Sequence, residues 1–324
     1  QAHLAHNLDV KIHVQQDALG AVMAGGEFDG TTFLGYGYNI FGPYASPSGK
    51  TTGQVLSTAK LKAHQDSIDN QYIFDDDVFG TDYTRVSEYK TRSGSSYEEV
   101  SRSFEISADI STKFMKFSAE MKASFSSNAN EQHENEYAIY TYQEILGRRF
   151  INRSVVDECD RWLTSAARDA INGTSRRYAG TEGIARLIKN YGTHVLIGGY
   201  LGGRIDYSMV VDKEKSKGDF DIKAMVKGGY GSYFNLEVDA DYKEAYEKNK
   251  SACTTSVKSI GGNVLVTSAD DFSAWHDGVV NNGKSVLMDF EDNDLVPIWE
   301  FCLDEERANQ IINYVLGDYY SAAI

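Results

Sequence analysis

A two-residue alternation between Phe220 and Tyr242 constrains the fold more than any other feature of the sequence. The even positions of this stretch are mostly apolar, and the odd positions are mostly Asp, Lys, Gly, Asn and Glu. A period of two is typical of a β-strand with one apolar face. The stretch therefore predicts two alternating segments around a turn.

A weaker alternation occupies the region from Phe104 to Phe125 and changes phase near its middle. Tyr137, Ile139 and Thr141 continue the pattern after a polar stretch. Each region fits two segments of about 9 to 11 residues, the length with which a tilted strand crosses a bilayer. Membrane β-strand signals are weak in each segment, so the pattern alone favours two amphipathic hairpins on a water-exposed sheet.

The composition is that of a globular chain. The 324 residues are 41% hydrophobic and 24% charged, which fits one large domain or two ordinary ones. The 21 Tyr against 3 Pro favour a strand-rich structure. No apolar run reaches the roughly 18 residues of a membrane-spanning helix, and the first ten residues lack the apolar segment of a signal peptide. If the protein is exported, we therefore expect this chain to be the mature form.

The formal net charge of −15 argues against two kinds of partner. Nucleic-acid binding relies on Lys and Arg that neutralise phosphates, and a polybasic grip on anionic lipid needs the same residues. We expect no nucleic-acid partner. The three cysteines, Cys159, Cys253 and Cys302, allow at most one disulfide and leave the redox compartment undecided.

The stretch Asn190–Arg204 predicts a helix that stops and turns into a bendable strand. Apolar residues recur along one helical face up to Tyr191, and Gly192 stands where a helix-terminating glycine belongs. The following apolar run predicts a strand, although glycines within a strand weaken it. These glycines are Gly198, Gly199, Gly202 and Gly203.

Other segments give simpler predictions. Thr32–Gly42 predicts a strand and the next twelve residues a turn-rich loop, in which Gly49 to Thr51 lack the spacing of a phosphate-binding loop. The stretch from Asp157 to Ile171 predicts one helix, as do ADDFSAWHDGVV and DEERANQIINYVLGDYY near the end of the chain. Asp75, Asp76 and Asp77 predict an exposed acidic loop.

Tyr191, Gly192, Thr193 and His194, followed after seven positions by Gly202 and Gly203, resemble the signature of the membrane attack complex/perforin (MACPF) family. The likeness extends to LGYGYNIFG, to SIGGN at Ser259–Asn263, to DFSAWHDGV and to VPIWEF, and covers roughly Thr32 to Tyr320. Val195 departs from the pattern, which has an aromatic residue there. Gly198 and Gly199 are an additional pair, which suggests a more deformable strand.

The resemblance implies a single α+β domain over residues 1–324, with a bent, twisted four-stranded antiparallel sheet. Two helical clusters, within residues 98–146 and 213–256, would flank the sheet and convert to transmembrane β-hairpins. Gly202, Gly203, Gly261 and Gly262 would be hinges. The residues expected to face the membrane are Phe104, Ile106, Ile110, Phe117, Met121, Phe125, Phe220, Ile222, Val226, Phe234, Leu236 and Val238.

A free-energy comparison orders the events that the resemblance implies. Eight large apolar side chains of the second hairpin would each gain roughly 1.5 to 2 kcal/mol on leaving water, or about 12 to 16 kcal/mol together. An isolated hairpin in lipid leaves unpaired N–H and C=O groups on two edges, each costing several kcal/mol. The penalty exceeds the gain, so insertion should follow oligomerisation, which pairs every edge.

The residues predict no enzyme chemistry, because the chain has no nucleophile motif such as G-x-S-x-G. We expect His194 to be structural, and no catalytic residue, metal or cofactor. The resemblance predicts a secreted pore-forming protein that assembles with itself into rings on a target membrane of unspecified lipid or receptor. The low cysteine count favours a bacterial toxin or antimicrobial factor. The alternative is a non-lytic binding or adhesion protein that retains the fold.

Overall fold

The structure of the protein is a computed structural model that describes residues 12–14, 32–70, 78–125, 129–281 and 283–324. The first ten residues and the acidic stretch Asp75 to Asp77, for which the sequence predicts an exposed loop, lie outside the described residues. Within the described residues, no helix combines the length and the apolar character that crossing a bilayer requires.

The strands of the described residues are interspersed with helices along the chain. They are β1 (Ile12–Val14), β2 (Tyr36–Tyr38), β3 (Lys50–Gln54), β4 (Phe79–Asp82), β5 (Arg85–Gly94), β6 (Asn135–Ile151), β7 (His194–Leu196), β8 (Gly198–Asp212), β9 (Cys253–Ile260), β10 (Val286–Asp289) and β11 (Leu295–Pro297).

The helices in order are α1 (Thr58–Asn70), α2 (Tyr97–Arg102), α3 (Ser118–Phe125), α4 (Arg153–Asp157), α5 (Cys159–Trp162), α6 (Ser165–Asn172), α7 (Gly180–Tyr191), α8 (Ile222–Tyr233), α9 (Ala240–Asn249), α10 (Phe272–Val280), α11 (Glu305–Tyr314) and α12 (Tyr320–Ala323). A π-helical turn, Val315–Tyr319, joins the last two. The 3-10 turns are Pro47–Gly49, Arg176–Tyr178, Lys250–Ala252, Ala269–Asp271 and Ile298–Phe301.

The described strands form two antiparallel sheets. The large sheet has the order β1-β5-β6-β8-β10, with β4 added to β6 and β9 added to β8, and the small sheet has the order β11-β7-β2-β3. The centre of the large sheet is the four-stranded set β5-β6-β8-β9, whose ladders are antiparallel throughout. This confirms the predicted α+β class and the four-stranded antiparallel sheet.

Two helical clusters connect neighbouring strands of that central set. We call α2, α3 and the chain between them the first cluster; it joins β5 to β6. The second cluster, α8 and α9, joins β8 to β9. The four strand ends that meet the clusters are aligned, because Gly94 pairs with Tyr137, Asn135 with Asp212, and Val211 with Cys253. Both clusters therefore leave the sheet at the same end.

Helices in the clusters overturn the expectation of hairpins on a water-exposed sheet. An apolar residue at every second position also gives an apolar residue at every fourth, which is a helical face. Val226, Tyr230 and Phe234 follow that spacing and are buried, and Asp221 caps the start of α8 with its carboxylate. The alternation is compatible with both structures, and tertiary contacts select the helix here.

Three further predictions from the sequence need correction. The strand expected over Thr32–Gly42 is confined to Tyr36–Tyr38, and the expected loop contains strand β3. The single helix expected from Asp157 to Ile171 is broken, because Leu163 is extended and forms a β-bridge to Leu56. The Thr164 hydroxyl then accepts a hydrogen bond from the Ala167 N–H and begins α6.

Candidate functional site

The chain passes from the small sheet to the large one between β7 and β8. Ile197 stands at this passage: its N–H donates to the Asp294 carbonyl, 2.9 Å, and its carbonyl accepts from the Ile151 N–H, 2.7 Å. Gly198 and Gly199, the additional glycine pair, begin β8, and a Cβ on either would overlap the side chain of Asp294 or Leu287. The extra glycines allow close packing at the bend.

Gly202 lies at a bulge in the central sheet. It pairs with Ile145, whereas Leu201 pairs with Gly147, so Leu146 is an extra residue in β6. A bulge bends a strand and increases its twist. A Cβ on Gly202 would overlap the Glu144 carbonyl, so only glycine allows this approach.

Helix α10 packs on two of the other predicted hinge glycines, Gly203 and Gly262. A Cβ on Gly203 would come within 2.7 Å of the Trp275 ring, and one on Gly262 within 2.5 Å of the Trp275 carbonyl. Gly261 has φ +83° and Gly262 φ +72°, the left-handed region that favours glycine. The Trp275 indole N–H donates to the Ile260 carbonyl, 3.3 Å. The structure thus places Gly203 and Gly262 against α10, and a Cβ on Gly261 would lie 2.8 Å from the Gly202 carbonyl.

The four consecutive signature residues join α7 to β7 and hold the N-terminal strand. Tyr191 ends α7, and Gly192 turns the chain with φ +77° against the backbone of Tyr38. The Thr193 N–H donates to the Tyr38 carbonyl, 3.0 Å, and its hydroxyl accepts from the Ile40 N–H, 3.0 Å. These contacts fix the position of β2 beside β7.

His194 links this junction to the first cluster. Its Nε2–H donates to the Ala108 carbonyl, 2.8 Å, and its Nδ1 lies 2.9 Å from the Thr193 hydroxyl. Burial lowers the pKa of the imidazole to about 4 although Asp109 acts in the opposite direction. A neutral ring has one donor and one acceptor, which matches the two partners. This geometry gives His194 the hydrogen bonds of a structural residue.

An ion cluster beneath α3 fastens the first cluster to the sheet. The Glu120 carboxylate lies 3.4 Å from Arg204 and 3.1 Å from Lys258. Burial alone would lower the pKa of the Arg204 guanidinium, but the carboxylates of Asp206 and Glu120 raise it. Arg204 also donates to the carbonyls of Tyr44, Ala45 and Met288. The charged face of the sheet is covered by the first cluster.

The second cluster packs on the opposite, aromatic face. The Tyr230 ring lies 5.1 Å from Tyr140, 5.7 Å from Tyr89 and 6.0 Å from Tyr207, all edge to face. Such pairs stabilise by about 0.5–1.5 kcal/mol each beyond area burial. Burial raises the pKa of the Tyr230 phenol well above its usual value. The two clusters therefore occupy opposite faces of the same sheet.

The residues predicted to face a membrane are shielded from water to different extents in this structure. Phe104, Phe117, Met121, Phe125, Val226 and Phe234 are buried, and Ile106, Ile110, Phe220, Ile222, Leu236 and Val238 are partly buried. The six buried residues belong to the core of the present structure, so their burial is explained without a membrane.

Sequence reasoning missed the residues that hold the clusters in place. Arg204, Glu120 and Trp275 are among them, and their partners lie far away along the chain. A charged residue within an apolar strand, as Arg204 is, signals a buried partner, but no local pattern identifies Glu120 as that partner. Within the described part of the chain, no group of three or more His, Cys, Asp or Glu side chains could hold a metal ion.

Comparison with solved structures shows the same architecture elsewhere. The structure matches GNIP1Aa from Chromobacterium piscinae with a TM-score of 0.70 at 18% identity, over 91% of this chain and 57% of that one. It matches a putative cell invasion protein with a MAC/Perforin domain from Bacteroides thetaiotaomicron with a TM-score of 0.65 at 16% identity, over 90% of this chain and 60% of that one. The chain therefore spans less than two thirds of the length of either protein.

The antiparallel sheet with two helical clusters at one end has the perforin-like class of fold. The family model of the MAC/Perforin domain matches residues 24–307, and the chain belongs to the MACPF family. Comparison with curated proteins gives no match.

Proposed function

We propose that this protein is a secreted pore-forming protein, a bacterial toxin or antimicrobial factor, that assembles into rings and inserts both clusters into a target membrane as β-hairpins. One observation carries the proposal: both clusters connect neighbouring strands of one sheet and leave it at the same end. Unfolding each cluster into two strands would lengthen the existing ladders without changing the path of the chain.

The predicted hinge glycines, Gly202, Gly203, Gly261 and Gly262, would allow the movement that this conversion needs. Straightening the bulged region around Gly202 separates α10 from Gly203 and Gly262, which it now contacts more closely than a Cβ would allow. Hinges are a few residues that absorb large backbone changes. The predicted segments 98–146 and 213–256 already include strand at their C-terminal ends, in β6 and β9, so only the residues that precede these strands have to change conformation.

The edges of the central sheet support self-association as the route to a closed barrel. Within the described residues, β9 pairs with β8 alone, and residues 88–94 of β5 pair with β6 alone. The outer N–H and C=O groups of these edges can pair with another copy of the chain. Closing a ring of such copies satisfies the backbone groups that lipid would leave unpaired.

Release of a dye from lipid vesicles, with negative-stain images of the same samples, tests this function. Vesicles made from candidate target lipids should show rings and leakage. Ile110→Asp places a charge on the predicted lipid side and should reduce leakage at least about 5-fold, since a lipid-facing Arg or Lys costs roughly 2–4 kcal/mol at the bilayer centre and Asp costs less. Ser111→Asp adds the same charge next to it on the polar side and should change leakage less than about 2-fold.

Two outcomes would contradict the proposal. Equal leakage from the Ile110→Asp and Ser111→Asp variants would show that Ile110 in the first cluster does not face lipid. Binding to the vesicles without rings or leakage, for every lipid composition, would favour the non-lytic binding protein instead.

A further inference from the structure

The pairing registers of the central sheet can be extended through both helical clusters by counting residues onward from the last observed pairs. Along an antiparallel ladder each step of two residues on one strand is matched by two on its partner. Continuing the β5–β6 ladder from Gly94 and Tyr137 places Ile106 opposite Phe125. Continuing the β8–β9 ladder from Val211 and Cys253 places Val226 opposite Val238.

The same extension makes the two hairpins end at one level. The first hairpin would turn at Met115 and Lys116, and the second would turn around Ser232. Continuing the β6–β8 ladder from Asn135 and Asp212 places Lys116 opposite Gly231, next to the second turn. Nothing in the helical clusters requires this agreement, because no ladder connects their residues.

All twelve residues that the sequence predicts to face lipid fall on a single face of the extended sheet. Residues separated by an even number along a strand share a face, and directly paired residues share a face. Phe104 is fourteen residues from Lys90, and Ile222 is sixteen from Asp206; Lys90 and Asp206 both pair with Thr141. Four strands could each have taken either phase, so chance agreement is about one in eight.

The opposite face of the extended sheet is polar. It carries Glu105 and Ser107 on the first strand, Lys122 on the second, Lys223 on the third and Asp241 on the fourth, with Met225 as an apolar exception. A transmembrane barrel needs an apolar outer face and a polar inner face. The registers therefore give both faces their required character.

We call residues that pair in succession across the four extended strands a row. The rows on the lipid side have the layout of a membrane-spanning band. One row consists of Ala108, Ala123, Ala224 and Ala240, and the row next to the turns consists of Phe114, Phe117, Tyr230 and Phe234. Ten residues separate the Phe104 row from this aromatic row, about 34 Å of strand and roughly 25 Å of height at the usual tilt. Aromatic residues gather at the edges of such bands.

We infer that the pairing registers of the present sheet persist when the clusters enter the membrane. The registers then identify each residue that contacts lipid, and they place the Phe114 row at the level of the far headgroups. The partner of this surface is bilayer hydrocarbon about 25 Å thick. The inference rests on the proposed function and deepens it, because a pore could form with a shifted register.

Disulfide capture between the hairpins tests the register. Ala123→Cys with Ala224→Cys, in a chain whose native cysteines are changed to Ala, should cross-link on vesicles and remain unlinked in solution. The two positions belong to clusters on opposite faces of the present sheet and are not buried. Ala123→Cys with Phe220→Cys is the control, since four residues of shift displace the pair by about 13 Å, beyond disulfide reach.

Cross-linking of at least about half of the first pair within one subunit, with less than one tenth of the control pair linked, supports the assignment. Leakage with linking of the control pair alone overturns the register and leaves the pore-forming function standing. Absence of leakage by the unmodified protein overturns the proposed function, and this inference with it.

Discussion

The Glu120 carboxylate in α3 lies 3.4 Å from the Arg204 guanidinium in β8, and both side chains are almost fully buried. A buried charge that loses its partner is costly, whereas an exposed ion pair contributes little. This contact therefore ties the position of the first cluster to the integrity of the sheet beneath it.

Glu120→Ala should destabilise the folded protein by about 3 kcal/mol, the lower end for a broken buried pair, because Arg204 keeps Asp206 as a partner. Urea unfolding measures this loss. Glu105→Ala removes an exposed carboxylate from the same cluster and should change stability by less than about 0.5 kcal/mol.

Glu120→Ala should also accelerate leakage from vesicles, because it weakens a contact that the first cluster has to break. Glu105→Ala should leave the rate unchanged. If Glu120→Ala lowers stability but slows leakage, the buried pair does not restrain the cluster.

His194 should make stability depend on pH. Burial lowers its folded pKa to about 4, so the stability it contributes is present above the unfolded value of about 6.5 and is lost as pH falls toward 4. Between pH 7 and pH 5 the loss amounts to roughly 2 kcal/mol. Asp294, whose pKa burial raises to about 6, acts in the opposite direction in this range.

The contribution of His194 is isolated by comparing the protein with its His194→Gln variant at both pH values. Gln can still donate to the Ala108 carbonyl but does not titrate. The variant should lose less stability than the unmodified protein between pH 7 and pH 5. An equal loss would assign the pH dependence to other groups.

Gly203→Ala should strain the contact with α10, because the new Cβ would meet Trp275 and Val279. Overpacking of this kind costs about 1–3 kcal/mol. Combining it with Val279→Ala removes the closest methyl group, so the double variant should be more stable than the sum of the two single losses predicts. Strict additivity in thermal unfolding would show that the helix does not press on this glycine.

Cys253 should report the conversion of the second cluster. Burial raises the pKa of its thiol to about 11, and the sulfur donates to the Asn249 carbonyl at 3.3 Å, so iodoacetamide should react slowly with the folded protein. Unfolding of α9 on membranes should raise the rate at least about 10-fold. Cys302 has the same raised pKa but contacts Ile171, outside the clusters, and its rate should not change.

Sequence reasoning succeeded where a residue type has one structural use. Gly192 at a helix end and the glycines beside the bulge are examples, because only glycine fits those backbones. It failed where one pattern serves two structures: Phe117, Met121 and Phe125 satisfy a strand period and a helix period together. The pairing of Glu120 with Arg204 could not be predicted, because an ion pair across 84 residues leaves no local trace.

A reversible disulfide between the first cluster and the sheet tests the central claim most directly. The Ser256 hydroxyl in β9 donates to the Ser124 carbonyl in α3 at 3.4 Å, so Ser124→Cys with Ser256→Cys, in a chain without native cysteines, can join the two elements. The oxidised variant should bind vesicles without leakage and regain leakage on reduction, while each single variant leaks under both conditions. Undiminished leakage by the fully oxidised variant would contradict the conversion of this cluster into membrane strands.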